Sequence, residues 1–141
     1  IRIFNTYGPK MRKDDGRAVS NFINQAISGK QLTVNGDGNQ TRSFCYVSDM
    51  VAGIEKAMFT KGTKGEIFNL GNHEEYKIID LAEKIRKMAG SKSKIVFGPY
   101  PQDDPRQRKP NITKAKKVLN WKPKVSADVG LAKTIAYYQE L

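Results

Sequence analysis

The 141 residues include one cysteine, Cys45, one histidine, His73, and one tryptophan, Trp121. A lone cysteine excludes an internal disulfide and cannot build a thiolate metal cluster. No metal is expected, a reducing compartment such as the cytoplasm is the natural setting, and Cys45 reads as a small buried hydrophobe. His73 sits in a polar loop with no acid or nucleophile at a recognisable spacing, so it reads as a surface residue. No run approaches the roughly 18 to 20 apolar residues that a helix needs to cross a bilayer, and nothing resembles a signal peptide. No membrane partner is expected. Internal repeats, heptads and low-complexity segments are also absent.

Acidic residues are the other scarcity. The 25 Lys and Arg outnumber 14 Asp and Glu, for a net charge of +11 and a pI near 9.8, which points to an anionic partner. The skew peaks between Arg106 and Lys124, where Arg106, Arg108, Lys109, Lys114, Lys116, Lys117, Lys122 and Lys124 occur without one Asp or Glu. Such a run is either a solvated basic face or a site for phosphate or nucleic acid. A nucleic-acid-binding domain is therefore one reading, although no helix-turn-helix, zinc-finger or RNP-type signature accompanies the charge. With 38% hydrophobic residues the chain can bury the core of one compact domain.

Periodicity sketches that domain. Ile1 to Phe4 reads as a strand ended by a loop at Tyr7-Gly8-Pro9, and opening inside such a strand suggests a piece of a longer protein. Helices are predicted over Ala18 to Ser28 with Gly29 as the stop, over the segment marked by Val51, Ile54, Ala57 and Met58, and over Lys77 to Met88. Ile67 to Gly71 and Ile95 to Phe97 read as short strands. Pro99, Pro101, Pro105 and Pro110 exclude a continuous helix and predict an extended loop. Asn111 or Thr113 then caps a helix ended by Trp121 and Pro123, and Ser126 caps the last one. Short strands among helices predict an α/β fold, an α+β lobe.

Leu32 to Met50 is the stretch most suggestive of chemistry. Thr33 and Val34 meet a glycine turn, Phe44 to Val47 follows, and Ser48 or Asp49 caps a helix, which predicts a hairpin leading into a helix. The backbone N–H groups of Gly36 and Gly38 can approach a ligand closely, and Arg42 carries a guanidinium suited to a pair of phosphate oxygens. A plain hairpin with one solvated arginine fits the same spacing.

Four passages resemble the extended short-chain dehydrogenase/reductases that act on nucleotide sugars. They are Leu-Thr-Val-Asn-Gly-Asp-Gly with Gln-Thr-Arg-Ser-Phe and Tyr-Val-Ser-Asp at positions 32–49, Arg2 to Pro9, Asp15 to Phe22, and Asp103 to Pro110. Within that group the chain looks most like the UDP-glucuronate decarboxylases. The resemblance covers essentially the whole chain but only the C-terminal portion of such Rossmann-type enzymes. It implies a UDP-sugar partner, with Asn5 and Arg106 at the diphosphate, Arg42 and Arg106 as a two-sided clamp, and Thr33, Val34 and Asn35 beside the base. Arg17 is implied to orient the sugar carboxylate and stabilise its charge, since a guanidinium is a poor acid. Asn35 stands where the family has Tyr, Asn111 where it has Asp, and Asn120 where it has Gly.

The family's remaining parts are missing here. No GxGxxG or GxxGxxG run exists to seat the NAD pyrophosphate, and none of the six tyrosines is followed four places on by lysine. NAD is therefore expected to be bound by another half of the parent, and this chain alone to be inactive. For the parent, the resemblance implies oxidation at C4 of UDP-glucuronate, loss of CO2 from the resulting β-keto acid, and return of the hydride to give UDP-xylose. A dTDP-glucose 4,6-dehydratase or UDP-sugar 4-epimerase stays open within the family, as does a stand-alone sugar-nucleotide-binding module. Parents of this group are usually homodimers, which carries no expectation for the chain itself.

Overall fold

The computed structural model describes all residues 1–141. Nine short strands and five helices alternate along it: β1 (Arg2–Ile3), β2 (Thr6–Tyr7), α1 (Ala18–Ile27), β3 (Leu32–Asn35), β4 (Thr41–Ser43), β5 (Cys45–Tyr46), α2 (Val47–Phe59), β6 (Asn69–Leu70), β7 (Glu75–Lys77), α3 (Ile78–Met88), β8 (Ile95–Gly98), β9 (Gln107–Arg108), α4 (Thr113–Leu119) and α5 (Ala127–Gln139). No helix is long and apolar enough to cross a membrane.

The predicted hairpin does not form. β3 pairs in parallel with β8, β4 lies between antiparallel β7 and parallel β9, and β5 pairs in parallel with β2. The glycine turn therefore redirects the chain from one sheet to another instead of folding it back on itself. Tyr7, expected in a loop, lies with Thr6 in the strand that pairs with β5, while β1 pairs with β6. Because only backbone bonds define such two-residue strands, their apolar content is too small to be read as a periodic run.

Two apolar clusters hold the elements together. In the larger, Val19, Phe22, Ile23 and Ala26 of α1 meet Ile78, Leu81, Ala82 and Ile85 of α3, Leu131, Ile135 and Tyr138 of α5, and Leu32 and Val34 of β3. The helix residues fall at i, i+3, i+4 and i+7 in α1 and α3 and at i, i+4 and i+7 in α5, the stripe that helical periodicity marks. Beyond the stripe, Gly29 adopts φ +68°, the left-handed stop that a side chain would resist. The smaller cluster joins Cys45, Met50, Phe68 and Leu70 to Ile112, Ala115, Leu119 and Trp121.

Helix starts depart from expectation. Tyr46 occupies the cap position of α2 without a side-chain bond, so Ser48 and Asp49 lie inside its first turn. Asp49 is used otherwise: its Oδ2 accepts from the backbone N–H groups of Lys124 and Val125 at 2.9 and 2.8 Å, and its carbonyl accepts from Trp121 Nε1 at 2.9 Å. Ile112 precedes α4 without a side-chain cap, while Asn111 Oδ1 accepts from Thr113 N at 3.0 Å. Ser126 does cap α5 through Val129 N. Asn120 ends α4 at φ 46°, ψ 47°, which explains why it can replace glycine: asparagine tolerates the left-handed region better than most side chains.

Cys45 has no exposed surface, and burial followed by the nearby charge of Asp49 pushes its thiol up to about 12. The folded protein is expected to resist iodoacetamide at about pH 8 and to be alkylated once unfolded in guanidinium, as mass spectrometry would read; rapid native labelling would mean that the β2–β5 pair opens.

Candidate functional site

One cleft of about 580 Å³ collects most of the residues singled out above. Asn5 enters from the link between β1 and β2, Arg17 from the residue before α1, Thr33 and Asn35 from β3, and Arg42 from the centre of β4, and the wall opposite is the loop Pro101 to Pro105. Thr33 and Asn35 reach the cleft because β3 alternates: Leu32 and Val34 are buried, and the residues between face outward.

The same alternation corrects the expectation for Val34. Its side chain has no exposed surface and belongs to the core, on the opposite side of the strand from the cleft. Arg106 also stands outside. Its guanidinium lies 4.8 Å from the Tyr100 ring centre and 3.7 Å from Asp37 Oδ1, so it and Arg42 do not face each other as a clamp. Arg108, two residues on, lines the cleft instead and is aligned with Arg42 in the β4–β9 register. Both arginines lie in the one basic run, and nothing in the residue pattern separates them; the strand register does.

The glycine turn offers less open backbone than expected. Gly36 N donates to Gly98 O at 2.8 Å, and a Cβ on Gly36 would sit 2.4 Å from Tyr100 Cδ2. Gly38 is similarly pressed on Ile79, whose N–H donates to the Gly38 carbonyl at 3.1 Å. Glycine is needed there for packing and for positive φ.

Arg42 is anchored from within the protein. Only 9% of its side chain is exposed, Nη1 donates to Thr41 O at 2.7 Å and to Arg106 O at 3.5 Å, and Nη2 donates to Asp104 Oδ1 at 2.6 Å. Asn5 Nδ2 donates to Ser43 O at 3.0 Å, tying the first link of the chain to β4. Arg17 is half exposed. It donates from Nη2 to Asp15 Oδ2 at 2.8 Å and from Nη1 to Thr6 O at 3.2 Å, and the guanidinium holds the Asp15 carboxyl below its usual range. The site thus brings Arg17, Arg42 and Arg108 to one cleft, with Asn5, Thr33 and Asn35 among its neutral lining and Asp103 and Asp104 on its wall. Three guanidiniums in one cleft suit an anionic ligand.

Asp104 and Gln40 line the cleft without having been singled out. Asp104 belongs to a quoted passage, but only the fold brings it to Arg42. Gln40 Nε2 donates to Asn35 O at 2.7 Å and steadies the end of β3.

Part of the basic run is engaged, while Lys116, Lys122 and Lys124 gather with Lys56 around one pocket. Arg106 rests on Tyr100, Lys109 Nζ lies 3.1 Å from Glu75 Oε2, and Lys114 pairs with Glu66 beside the Phe68 ring. His73 is exposed, as expected of a surface histidine.

A family model described as GDP-mannose 4,6 dehydratase matches residues 1–134. UDP-glucuronic acid decarboxylase 5 of Arabidopsis thaliana is 53% identical over 130 residues, covering 92% of this chain and 38% of that protein. Among solved structures, UDP-glucuronic acid 4-epimerase from Bacillus cereus, in complex with UDP-glucuronic acid and NAD, superposes with a TM-score of 0.91 at 34% identity, covering 99% of this chain and 44% of that one. The NAD complex of dTDP-glucose 4,6-dehydratase from Bacillus anthracis superposes at 0.87 with 28% identity, covering 99% and 43%. The chain thus spans less than half the length of the relatives it matches, and its α/β fold is that of the C-terminal portion of Rossmann-type epimerases and dehydratases.

Proposed function

The chain belongs to the family described as GDP-mannose 4,6 dehydratase, and from that membership we propose that it is the UDP-sugar-binding portion of an NAD-dependent UDP-glucuronate decarboxylase. The observation that carries the reading is the meeting of Asn5, Arg17, Thr33, Asn35, Arg42 and Arg108 in one cleft. The decarboxylase relative adds to it. Arg42 and Arg108 hold the diphosphate, Thr33 and Asn35 lie along the base, and Arg17 pairs with the sugar carboxylate. Arg106 acts from outside, by bracing Tyr100.

NAD has no seat among these residues. β5 runs directly into α2, and β7 into α3, with no glycine turn to receive a pyrophosphate. The cofactor is held by another part of the parent, and redox work belongs there. This chain alone is inactive; its residues bind, orient and neutralise charge.

The test is calorimetric titration of the chain with UDP, uridine and a short DNA duplex at low and moderate salt. Saturable UDP binding that survives salt and weakens about 10- to 100-fold in Arg42→Ala supports the reading, since charge-assisted bonds contribute ~1.5 to 3 kcal/mol each. Binding of DNA alone, falling steeply with salt, would sink it. The acid pairing of Lys109 and Lys114 takes part of the basic run away from that outcome.

A second reading keeps the cleft and changes the chemistry, because the superposed structures are epimerases and dehydratases. With UDP-glucuronate, the full-length protein is expected to release CO2 and UDP-xylose. Retention of the carboxylate with inversion at C4 would make it an epimerase.

A further inference from the structure

We infer that Asp104 is a built-in anion that occupies Arg42 until a diphosphate displaces it, so that the cleft selects ligands by phosphate charge. The inference rests on the reading of the cleft as a nucleotide-diphosphate site. An arginine buried as far as Arg42 needs a counter-charge, and the carboxylate bonded to it is that of Asp104. That bond runs from Nη2 to one carboxylate oxygen, not through the two-pronged pairing a guanidinium can make. A diphosphate offers more charge and several oxygens to the same donors. It can replace a single carboxylate oxygen where a neutral nucleoside cannot.

Asp104 is placed to yield. Its side chain is 36% exposed, on a segment between β8 and β9 with no strand or helix of its own, so water can receive it when it leaves Arg42. The segment is also held against local preference. Asp103 adopts φ 64°, a left-handed conformation that L side chains resist, and the next residue is anchored by Tyr100 Oη, which donates to Asp104 O at 2.7 Å, and more loosely by its own N–H, which donates to Pro101 O at 3.4 Å. Tyr100 in turn is clasped between Gly36 and the Arg106 guanidinium. The tyrosine presents the carboxylate, and Arg42 receives it.

The test is titration of the chain, Asp104→Asn and Asp103→Asn with UDP, uridine and inorganic pyrophosphate. Asp104→Asn is expected to bind UDP and pyrophosphate about tenfold more tightly, as loss of a partly buried ion pair allows, with uridine unchanged. Asp103→Asn, the same charge change one residue away, is expected to gain less than about twofold. Tyr100→Phe, which frees the anchor without altering charge, gives a second variant and shifts affinity in the same direction as Asp104→Asn. Unchanged or weaker pyrophosphate binding in Asp104→Asn overturns the inference and makes Asp104 a positioning residue for Arg42. An equal gain in Asp103→Asn also overturns it. Tighter pyrophosphate binding with no UDP binding in any of these proteins keeps the displaceable anion and removes the nucleotide reading; equal UDP binding by the chain and Asp104→Asn does the reverse.

Discussion

Asp49→Ala is expected to lower the unfolding free energy by about 3 kcal/mol, a large share of the ~5 to 15 kcal/mol of a domain this size. One carboxylate oxygen receives two backbone N–H groups, from Lys124 and Val125, and alanine leaves both without their partner. A third bond at the same residue is made by the main chain and survives the change. The Asp49 carbonyl receives the indole N–H of Trp121, and a Cβ on Gly53, one turn along the same helix, would stand 2.9 Å from the Trp121 ring. α2 and the segment that follows α4 are therefore fastened at one place. Asp49→Asn keeps an acceptor oxygen and is expected to cost about 1 kcal/mol. Denaturant unfolding at constant m would read both, and equal costs would show that the carboxylate bonds are not what joins the two segments.

Gly130→Ala is expected to destabilise by about 2 to 3 kcal/mol, against the ordinary sign. Alanine in a helix interior is normally favoured over glycine by about 1 kcal/mol. In α5, however, a Cβ at position 130 would meet Tyr7 Oη at 2.3 Å, Tyr7 Cζ at 3.0 Å and Tyr46 Cδ2 at 2.9 Å. The two rings stand edge to face with centres 5.7 Å apart, inside a packed core with little freedom to move. Tyr7 Oη is buried without a hydrogen-bond partner, and burial drives its pKa upward. Removing it in Tyr7→Phe should therefore cost little and recover part of the Gly130→Ala loss. A double-mutant cycle with no coupling would show that the clash is relieved by helix movement instead.

The helices were legible because their apolar stripes report on burial directly. α1, α3 and α5 lie where Val19 to Ala26, Ile78 to Met88 and Leu131 to Tyr138 repeat, and Gly29 and Ser126 end or begin them as their chemistry suggests. Sheet partners were not. Nothing between Leu32 and Val47 says that β3 takes β8 while β4 takes β7 and β9, and reading neighbours in sequence as neighbours in space produced a hairpin that does not exist. The site inherits both outcomes. Asn5, Arg17, Thr33, Asn35 and Arg42 share the cleft. Val34 could have been assigned to the core from alternation along its own strand. That Arg108 lines the cleft where Arg106 does not, and that Asp104 meets Arg42, follows from the register of β4 with β9 and the course of the proline loop.

Every sheet in this fold joins segments with at least one whole helix between them: β1 with β6, β2 with β5, β3 with β8, and β4 with β7 and β9. β1 and β2 therefore precede β6 and β5, the strands they pair with here, by at least one whole helix during synthesis. Helices α1 and α3 can coil at once from local contacts, whereas each strand pair waits for a long loop to close. Refolding in milliseconds to seconds is the scale of such topologies, and the unpaired edges of that interval are where a second molecule can attach. The pairings that bring arginines from distant segments to one cleft also make this lobe slow to assemble and exposed to misassociation while it does.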